Sequence, residues 1–267
     1  KWDDMDQSSF TALPLSAEVL RAVELGVNYF DTAYIYNNGE SEKCLGEAMK
    51  IFPRDSFFIA TKFSIDSTPD YEAVFEEQLR RLQTDYIDFY LLHCLTDANV
   101  DKYLNSGAIE YFLKQKEEGR IRYLGFSSHA GVETLRRFTS HREWDFAQLQ
   151  INYYDWESEN VQSRKCYEVA KKYGVPVIVM EPVKGGTLAN MTGRPAEILR
   201  ELSPEASFAS YAIRYAASLE NVMLVLSGMS DEQQLVDNTA YMREFTPLDE
   251  RERAAIARVV EELAAMP

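Results

Sequence analysis

The chain has 267 residues, of which 46% are hydrophobic, a size and composition that suit one α/β domain with a sizeable core. Its 28 Lys and Arg against 43 Asp and Glu give a formal charge of −15, which argues against nucleic acid and anionic lipid as partners. The cysteines Cys44, Cys94 and Cys166 form no CxxC pair, so we expect no disulfide framework and no cysteine-ligated metal, and a reducing cytoplasm fits best.

Short apolar runs rich in β-forming residues alternate with amphipathic stretches along the whole chain. That alternation predicts repeated βα units rather than a β-sandwich or a helix bundle. Several of the runs are continuously hydrophobic, as expected for strands that are buried on both faces. The seven predicted strands are residues 27–31, 57–62, 86–93, 121–127, 146–151, 175–181 and 222–227.

The amphipathic stretches predict the helices. Gly26, Gly119 and Gly174 each follow a helical pattern where a C-terminal cap would lie, and a strand follows shortly after each of them. Pro247 and Asp249 open a last amphipathic helix. The predicted helices include residues 17–25, 41–51, 71–82, 109–118, 132–138, 158–173, 204–219, 232–244 and 248–265.

Seven βα units fit either an eight-stranded (β/α)8 TIM barrel that lacks one unit or an open doubly wound sheet. A doubly wound dinucleotide domain should carry G-x-G-x-x-G after its first strand, and the sequence contains no such motif. The chain also starts without Met, has no signal-peptide pattern and has no apolar run of the roughly 20 residues that cross a bilayer. We therefore expect one barrel domain over residues 1–267, with the first strand upstream of Lys1.

Ionisable side chains end three successive predicted strands. Asp31, Lys62 and His93 take these positions, and Tyr36 lies in the loop after Asp31. Barrel active sites lie at the carboxyl ends of the strands, so we expect these groups to meet. A phenol becomes a better proton donor beside an ammonium group, so Lys62, held by Asp31, would activate Tyr36 while His93 orients a carbonyl oxygen. No side chain supplies hydride, so a cofactor would be needed.

Each of these residues also has an ordinary structural interpretation. An Asp at a strand end often caps a turn, a loop Tyr often packs, and a single His is more often a satisfied core residue than a catalyst. Lys62 differs because it ends a buried apolar run, and buried lysines are rare unless they are paired. Their joint occurrence at successive strand ends favours a catalytic set.

The motifs around these residues resemble the aldo-keto reductase family. They are GVNYFDTAYIY at 26–36 with NGESE at 38–42 and LGEA at 45–48, IATK at 59–62, and QLRRLQTDYIDFYLLH at 78–93. The resemblance covers essentially the whole chain. It implies a nicotinamide-dependent reduction of an aldehyde or ketone to an alcohol, and the reverse, with Tyr36 as general acid, Lys62 and Asp31 tuning it, and His93 positioning the substrate oxygen.

The resemblance also implies which residues hold the nicotinamide. Ser127, Ser128 and Gln148 match the positions that bind its carboxamide, although many members have Asn where Ser128 stands. Met180, two residues before Pro182 in the matching cofactor segment, stands where the family often has an aromatic side chain on the nicotinamide ring. A methionine can cover an apolar ring face through its polarizable sulfur.

Residues 226–238 resemble the family's adenosine-binding loop and helix, whose N-terminal N–H groups suit a phosphate. Some members have Lys and Arg where Gly228 and Gln234 stand, and use them on the 2′-phosphate of NADP. We therefore expect NADP(H) to be favoured on family grounds and NAD(H) also to bind, with Lys184 as another group that could reach the adenosine end. The matching positions are Gly228, Ser230, Gln234, Asp237 and Asn238.

Two other functions are compatible with parts of the pattern. Some members of the family keep the barrel and bind the cofactor mainly as regulatory subunits of potassium channels. A metal-dependent hydrolase would need several His, Asp or Cys ligands around one ion, yet the chain has only three histidines, His93, His129 and His141. The motifs match best a subgroup that often continues into an iron–sulfur domain, but the sequence stops at Pro267 without a CxxC motif.

Overall fold

The computed structural model describes residues 15–265. The expectations for residues 1–14, for residues 266–267 and for a strand upstream of Lys1 lie outside that range. Within it, seven parallel strands pair in chain order, so all seven predicted strands are confirmed. The strands are β1 Tyr29–Asp31, β2 Phe58–Phe63, β3 Ile87–Leu95, β4 Ile121–Ser128, β5 Phe146–Gln150, β6 Val177–Met180 and β7 Val222–Val225.

The helices follow the strands as repeated βα units require. They are α1 Leu15–Glu24, α2 Glu40–Met49, α3 Tyr71–Leu82, α4 Val100–Asn105, α5 Ala108–Glu117, α6 Val132–Ser140, α7 Ser163–Lys172, α8 Gly193–Leu202, α9 Phe208–Ala217, α10 Glu232–Arg243 and α11 Glu250–Ala265.

Local signals decide where several of the helices begin and end. Gly26 is left-handed (φ 91°), and Val27 donates a hydrogen bond to the Ala22 carbonyl at 2.9 Å, which closes α1 just before β1. The predicted helix 204–219 starts later than expected because the Ser207 side chain accepts a hydrogen bond from Ser210 and caps α9. The predicted helix 158–173 also starts too early, since α7 begins only after the left-handed Gln162.

The sheet curls into the barrel arrangement, and its first and last strands face a common interior. Tyr29 of β1 and Leu224 of β7 both pack against a cluster that includes Phe89 and Phe146. Outside the sheet, Arg21 of α1 forms an ion pair with Glu232 of α10 at 3.1 Å. Among the described strands, no ladder joins β1 to β7, and this gap is where the eighth strand of the predicted barrel would lie.

The main core lies between the outside of the sheet and the surrounding helices, and it contains fully buried aromatic residues such as Phe75, Tyr90 and Phe112. A second cluster joins α8, α9 and α11 through Leu199, Tyr211 and Val259. In residues 15–265 we find no helix with the length and apolar character needed to span a membrane.

Candidate active site

A buried ion pair lies at the carboxyl ends of β1 and β2. The Lys62 side chain has no exposed surface, and its ammonium pairs with the Asp31 carboxylate and donates to the Thr32 carbonyl at 2.6 Å. Burial raises the pKa of Asp31, and Lys62 opposes that rise. The second carboxylate oxygen of Asp31 is buried without a hydrogen-bond partner in the described part of the chain. The two residues therefore form one coupled unit, as expected from their strand-end positions.

Tyr36 projects from a left-handed turn directly after β1. Asn37 and Asn38 have φ values of 49° and 54°, and Gly39 follows at 87°. Asparagine and glycine are the residues that adopt this conformation at least cost. The turn leaves the Tyr36 side chain 39% exposed, with the Lys62 ammonium 5.1 Å from the centre of its ring. Tyr36 therefore has the buried cation beside its ring and is itself partly exposed to solvent.

His93 contacts the same phenol from β3. The centres of the two rings are 5.7 Å apart in an edge-to-face arrangement. Burial, together with the nearby Lys62 and His129, lowers the pKa of His93 to about 3. The imidazole is therefore neutral at neutral pH, and it can orient an oxygen atom through a hydrogen bond but is a poor proton reservoir.

The strand after His93 is irregular where it approaches β4. Cys94 has a φ of 57°, at the point where the pairing between β3 and β4 shifts its register. The Cys94 backbone N–H donates to the Ser127 hydroxyl at 2.8 Å, and the Ser128 hydroxyl accepts from Ala130 at 3.1 Å. Both serines are buried. The bond to Cys94 uses Ser127 as an acceptor, so its hydroxyl hydrogen can still be donated to a ligand.

Gln148 lies beside Ser127 on the neighbouring strand, in direct register. Its side-chain nitrogen is 3.6 Å from the Met180 sulfur, which lies at the end of β6. Its side-chain oxygen is buried and has no hydrogen-bond partner among residues 15–265. An unpaired buried acceptor costs about 1–3 kcal/mol, so this oxygen indicates a place for a ligand that donates a hydrogen bond.

The loop after β6 holds two further residues of interest. Pro182 is buried directly after the left-handed Glu181. Lys184 forms an ion pair with the buried Asp155, with N–O distances of 2.7 and 2.9 Å. In this conformation the Lys184 ammonium is committed to Asp155, so the structure gives no support for its predicted reach toward an adenosine. Lys184 also borders a pocket of about 360 Å³ that extends to Leu263 of α11.

A carboxylate already caps the N-terminus of α10. One oxygen of Asp231 accepts a hydrogen bond from the Gln234 backbone at 2.8 Å, and the other accepts from the Gln234 side chain at 2.9 Å. The Gln234 side-chain oxygen in turn accepts from the Ser230 backbone at 2.9 Å. The helix start therefore carries a negative charge of its own, a feature that sequence analysis did not anticipate.

The other predicted adenosine positions lie around this helix start. Gly228 and Ser230 are exposed in the loop after β7, and Asp237 is half-buried in α10. Asn238 is mostly buried and donates to the Ser227 hydroxyl at 2.9 Å. The Asn238 side chain therefore connects α10 to the loop that follows β7.

Comparison with known proteins identifies the family to which this arrangement belongs. The model of the Aldo/keto reductase family matches residues 4–261. The chain belongs to this family. The family assignment makes the chain an oxidoreductase and confirms the barrel fold that the motifs predicted.

The similarity extends over most of each relative. The uncharacterized oxidoreductase YqkF of Bacillus subtilis is 28% identical over 255 residues, which cover 81% of this chain and 78% of that protein. The NADH-specific methylglyoxal reductase of Escherichia coli is 25% identical over 268 residues, covering 83% and 80%. The holo structure of aldo-keto reductase AKR11C1 from Bacillus halodurans has a TM-score of 0.75 and 28% identity, covering 91% of this chain and 86% of that chain.

The residues of this aldo-keto reductase fit the nicotinamide end of a dinucleotide. A nicotinamide carries a carboxamide, whose N–H groups need an acceptor and whose oxygen needs a donor. The unpaired Gln148 oxygen is a buried acceptor, and the Ser127 hydroxyl in register with it is a donor. The Met180 sulfur beside Gln148 is a soft apolar group that suits the face of a ring.

Sequence analysis missed a polar cluster behind the site. Glu42 is fully buried and accepts hydrogen bonds from Thr61, Gln78 and Arg81. Burial raises the pKa of Glu42, and its three hydrogen bonds oppose that rise. Glu42 was visible in the family motif at 38–42, but its inward direction depends on how α2 packs. Within residues 15–265 no group of three His, Cys, Asp or Glu side chains is arranged to hold a metal.

Proposed function

We propose that this aldo-keto reductase reduces an aldehyde or ketone to an alcohol with NAD(P)H, and catalyses the reverse reaction, with Tyr36 as the proton donor. The observation that carries the proposal is the Tyr36 ring beside the fully buried Lys62 ammonium, which Asp31 holds. A buried, paired lysine is costly to maintain, and here it lies against a phenol ring whose residue is 39% exposed.

The cofactor, when bound, supplies the hydride to the carbonyl carbon. Tyr36 donates its proton to the carbonyl oxygen, so that one hydride and one proton complete the alcohol. The Lys62 ammonium stabilises the phenolate that remains, and Asp31 keeps that ammonium in place. The neutral His93 ring, next to Tyr36, orients the carbonyl oxygen by a hydrogen bond.

Gln148, Ser127, Ser128 and Met180 would hold the nicotinamide, and the loop and helix after β7 would hold the adenosine. The family favours NADP(H), whereas one relative is named as NADH-specific. The carboxylate of Asp231 at the start of α10 opposes a 2′-phosphate there. We infer that both cofactors bind with similar affinity, and that the family's preference for NADP(H) over NAD(H) is weakened in this chain.

The test is a cofactor-oxidation assay with aldehydes, ketones and sugars, run with NADPH and with NADH. Tyr36→Phe keeps the ring and removes the acid, so turnover should fall by roughly 10²–10⁴-fold while cofactor affinity stays unchanged. Tyr123→Phe, an exposed tyrosine near the start of β4, is the matched control and should retain full activity. Full turnover in Tyr36→Phe would refute the assignment of the acid, and cofactor binding without turnover of any carbonyl would favour a binding module.

A further inference from the structure

The buried cluster behind β2 consists of Glu42, Thr61, Gln78 and Arg81, and we call it the Glu42 cluster. Glu42 accepts from the Thr61 hydroxyl at 2.6 Å, from the Gln78 side chain at 2.8 Å and from Arg81 at 3.2 Å. Glu42, Thr61 and Gln78 have no exposed surface. The cluster therefore joins α2, β2 and α3 through buried or mostly buried polar contacts.

Arg81 connects this cluster to the turn that carries Tyr36. Its guanidinium donates to the Tyr34 carbonyl at 3.1 Å and lies 4.3 Å from the centre of the Tyr34 ring. It also fills the space beside Gly39, where an added Cβ would lie 2.9 Å from the guanidinium. Arg81 thus contacts the chain on both sides of Tyr36, two residues before it and three residues after it.

The same cluster contacts the strand that carries Lys62. The Gln78 side chain donates to the Lys62 carbonyl at 3.0 Å and to the Thr61 hydroxyl at 3.1 Å. Neighbouring residues of a strand point to opposite faces, so Thr61 meets the helices while Lys62 faces the site. The Tyr90 hydroxyl donates to the Gln78 oxygen at 2.6 Å and fixes the direction of that amide. The backbone of Lys62 is therefore anchored from behind.

We propose that Glu42 and Arg81 are positioning residues that hold the Tyr36 phenol in register with the Lys62 ammonium. The inference rests on the proposed function, because it assigns the cluster a task in the transfer of a proton from Tyr36. Neither residue touches the reacting atoms. Buried ion pairs are weak contributors to stability, whereas a misplacement of about 1 Å at a reacting group can cost about 10²-fold in rate.

A comparable buried carboxylate at the other end of the strands offers a matched control. Asp88 has no exposed surface and accepts hydrogen bonds from Arg54 at 2.7 Å, from Arg122 at 2.8 Å and from the Ile59 backbone at 3.0 Å. These contacts lie near the starts of β2 and β3, away from the carboxyl ends that carry the site. Asp88→Asn and Glu42→Gln make the same chemical change at opposite ends of the barrel.

The experiment is a double-mutant cycle that combines each of these variants with Tyr36→Phe in the full chain. Turnover, KM for the carbonyl substrate and cofactor affinity are measured with saturating NADPH. Glu42→Gln should lower turnover about 10-fold or more when Tyr36 is present, and by less than about twofold in the Tyr36→Phe background. Cofactor affinity should change by less than about twofold. Asp88→Asn should change turnover by the same factor in both backgrounds.

A loss in Glu42→Gln that is equal in both backgrounds, or no loss at all, would overturn the inference. If Glu42→Gln does not fold, Arg81→Lys serves as the second variant and should show the same dependence on Tyr36. It keeps the positive charge, but a single ammonium cannot replace a guanidinium that bonds Glu77 through Nε and both Glu42 and the Tyr34 carbonyl through Nη1. Full turnover in Tyr36→Phe alone would instead refute the proposed function, and the inference with it, so the two failures are distinguishable.

Discussion

The Asp31 carboxylate pairs with a Lys62 ammonium that has no exposed surface, while Asp31 itself is 15% exposed. Replacing Lys62 with Met should leave a mostly buried carboxylate without its partner and lower the free energy of unfolding by about 3–5 kcal/mol at pH 7. Because burial raises the pKa of Asp31, the loss should shrink as the pH falls toward 4 and the carboxylate takes up a proton. Urea unfolding of the unaltered protein and of Lys62→Met at pH 7 and at pH 5 measures the loss of unfolding free energy at each pH.

The double variant Lys62→Met with Asp31→Asn separates stability from catalysis. Removing both charges should recover most of the lost stability, since no uncompensated carboxylate remains. Turnover should stay as low as in Lys62→Met, because the phenolate of Tyr36 still lacks its stabilising cation. Recovery of turnover in the double variant would contradict the role given to Lys62.

His93 predicts a specific dependence of stability on pH. Its pKa is about 3 in the folded protein and about 6.5 in the unfolded chain, where the imidazole is exposed to solvent, so between these values the unfolded state binds more protons. Stability is therefore lost as the pH falls, by about 2 kcal/mol between pH 7 and pH 5 at 1.36 kcal/mol per unit. His93→Gln should reduce that loss, and His141→Gln, at the exposed end of α6, should not. Parallel slopes in all three proteins would disprove the assignment.

The unpaired oxygen of Gln148 predicts opposite effects on cofactor binding and on stability. Gln148→Leu removes one acceptor, so nicotinamide cofactor affinity should fall about 3- to 10-fold, which corresponds to about 0.5–1.5 kcal/mol. The cofactor-free protein should be no less stable, because a buried unsatisfied group is lost with the amide.

A buried glutamine with satisfied contacts provides the comparison for Gln148. Gln115 of α5 accepts a hydrogen bond from Arg120 at 2.7 Å. Gln115→Leu should therefore lower stability and leave cofactor affinity unchanged. Fluorescence titration with NADPH and thermal unfolding of both variants give the four values, and an unaltered affinity in Gln148→Leu would count against its proposed contact.

The cap of α10 predicts how cofactor preference can be changed. Asp231→Ser keeps an N-cap but removes a negative charge, so the ratio of NADPH to NADH affinity should rise about fivefold, or about 1 kcal/mol. Asp70→Ser makes the same change at the N-cap of α3 and should leave the ratio as it is. The effect should also weaken as salt is added. A ratio that does not move in Asp231→Ser would show that no 2′-phosphate lies near this helix start.

The order and type of the strands could be predicted because each is an apolar run bounded by turn residues. Their ends were less predictable. The sixth strand is four residues long rather than the seven of 175–181, since Pro176 has no N–H for the ladder and Glu181 turns left-handed. The helices α4 and α8 were not predicted. α8 begins with Gly193 and has Pro195 in its first turn, residues that as a pattern indicate a loop more readily than a helix.

The four ionisable residues of the site could be found because a parallel barrel brings strand ends together. The Glu42 cluster, the Asp155–Lys184 pair and the Asp231 cap could not be found in the same way. Each depends on the packing direction of a side chain that, in sequence, is an ordinary charged residue on a helix or in a loop. The close approach of α2 to α3 at Gly46, where an added Cβ would clash with the Arg81 carbonyl oxygen, is equally invisible in one sequence.

Since neighbours in the sheet are also neighbours in the chain, the proposed tasks occupy separate stretches of sequence. Asp31, Lys62 and His93 lie at or near the carboxyl ends of β1, β2 and β3, while the proposed cofactor contacts begin only with β4. One crossover between two genes of this family, placed between residues 95 and 121, would pair the proton chemistry of one parent with the cofactor preference of the other. Such a recombinant would need compatible contacts at two seams, the ladder between β3 and β4 and the contact of α1 with α10, where Arg21 pairs with Glu232. The remaining contacts within each segment come from one parent, so this architecture favours diversification by exchange of whole segments.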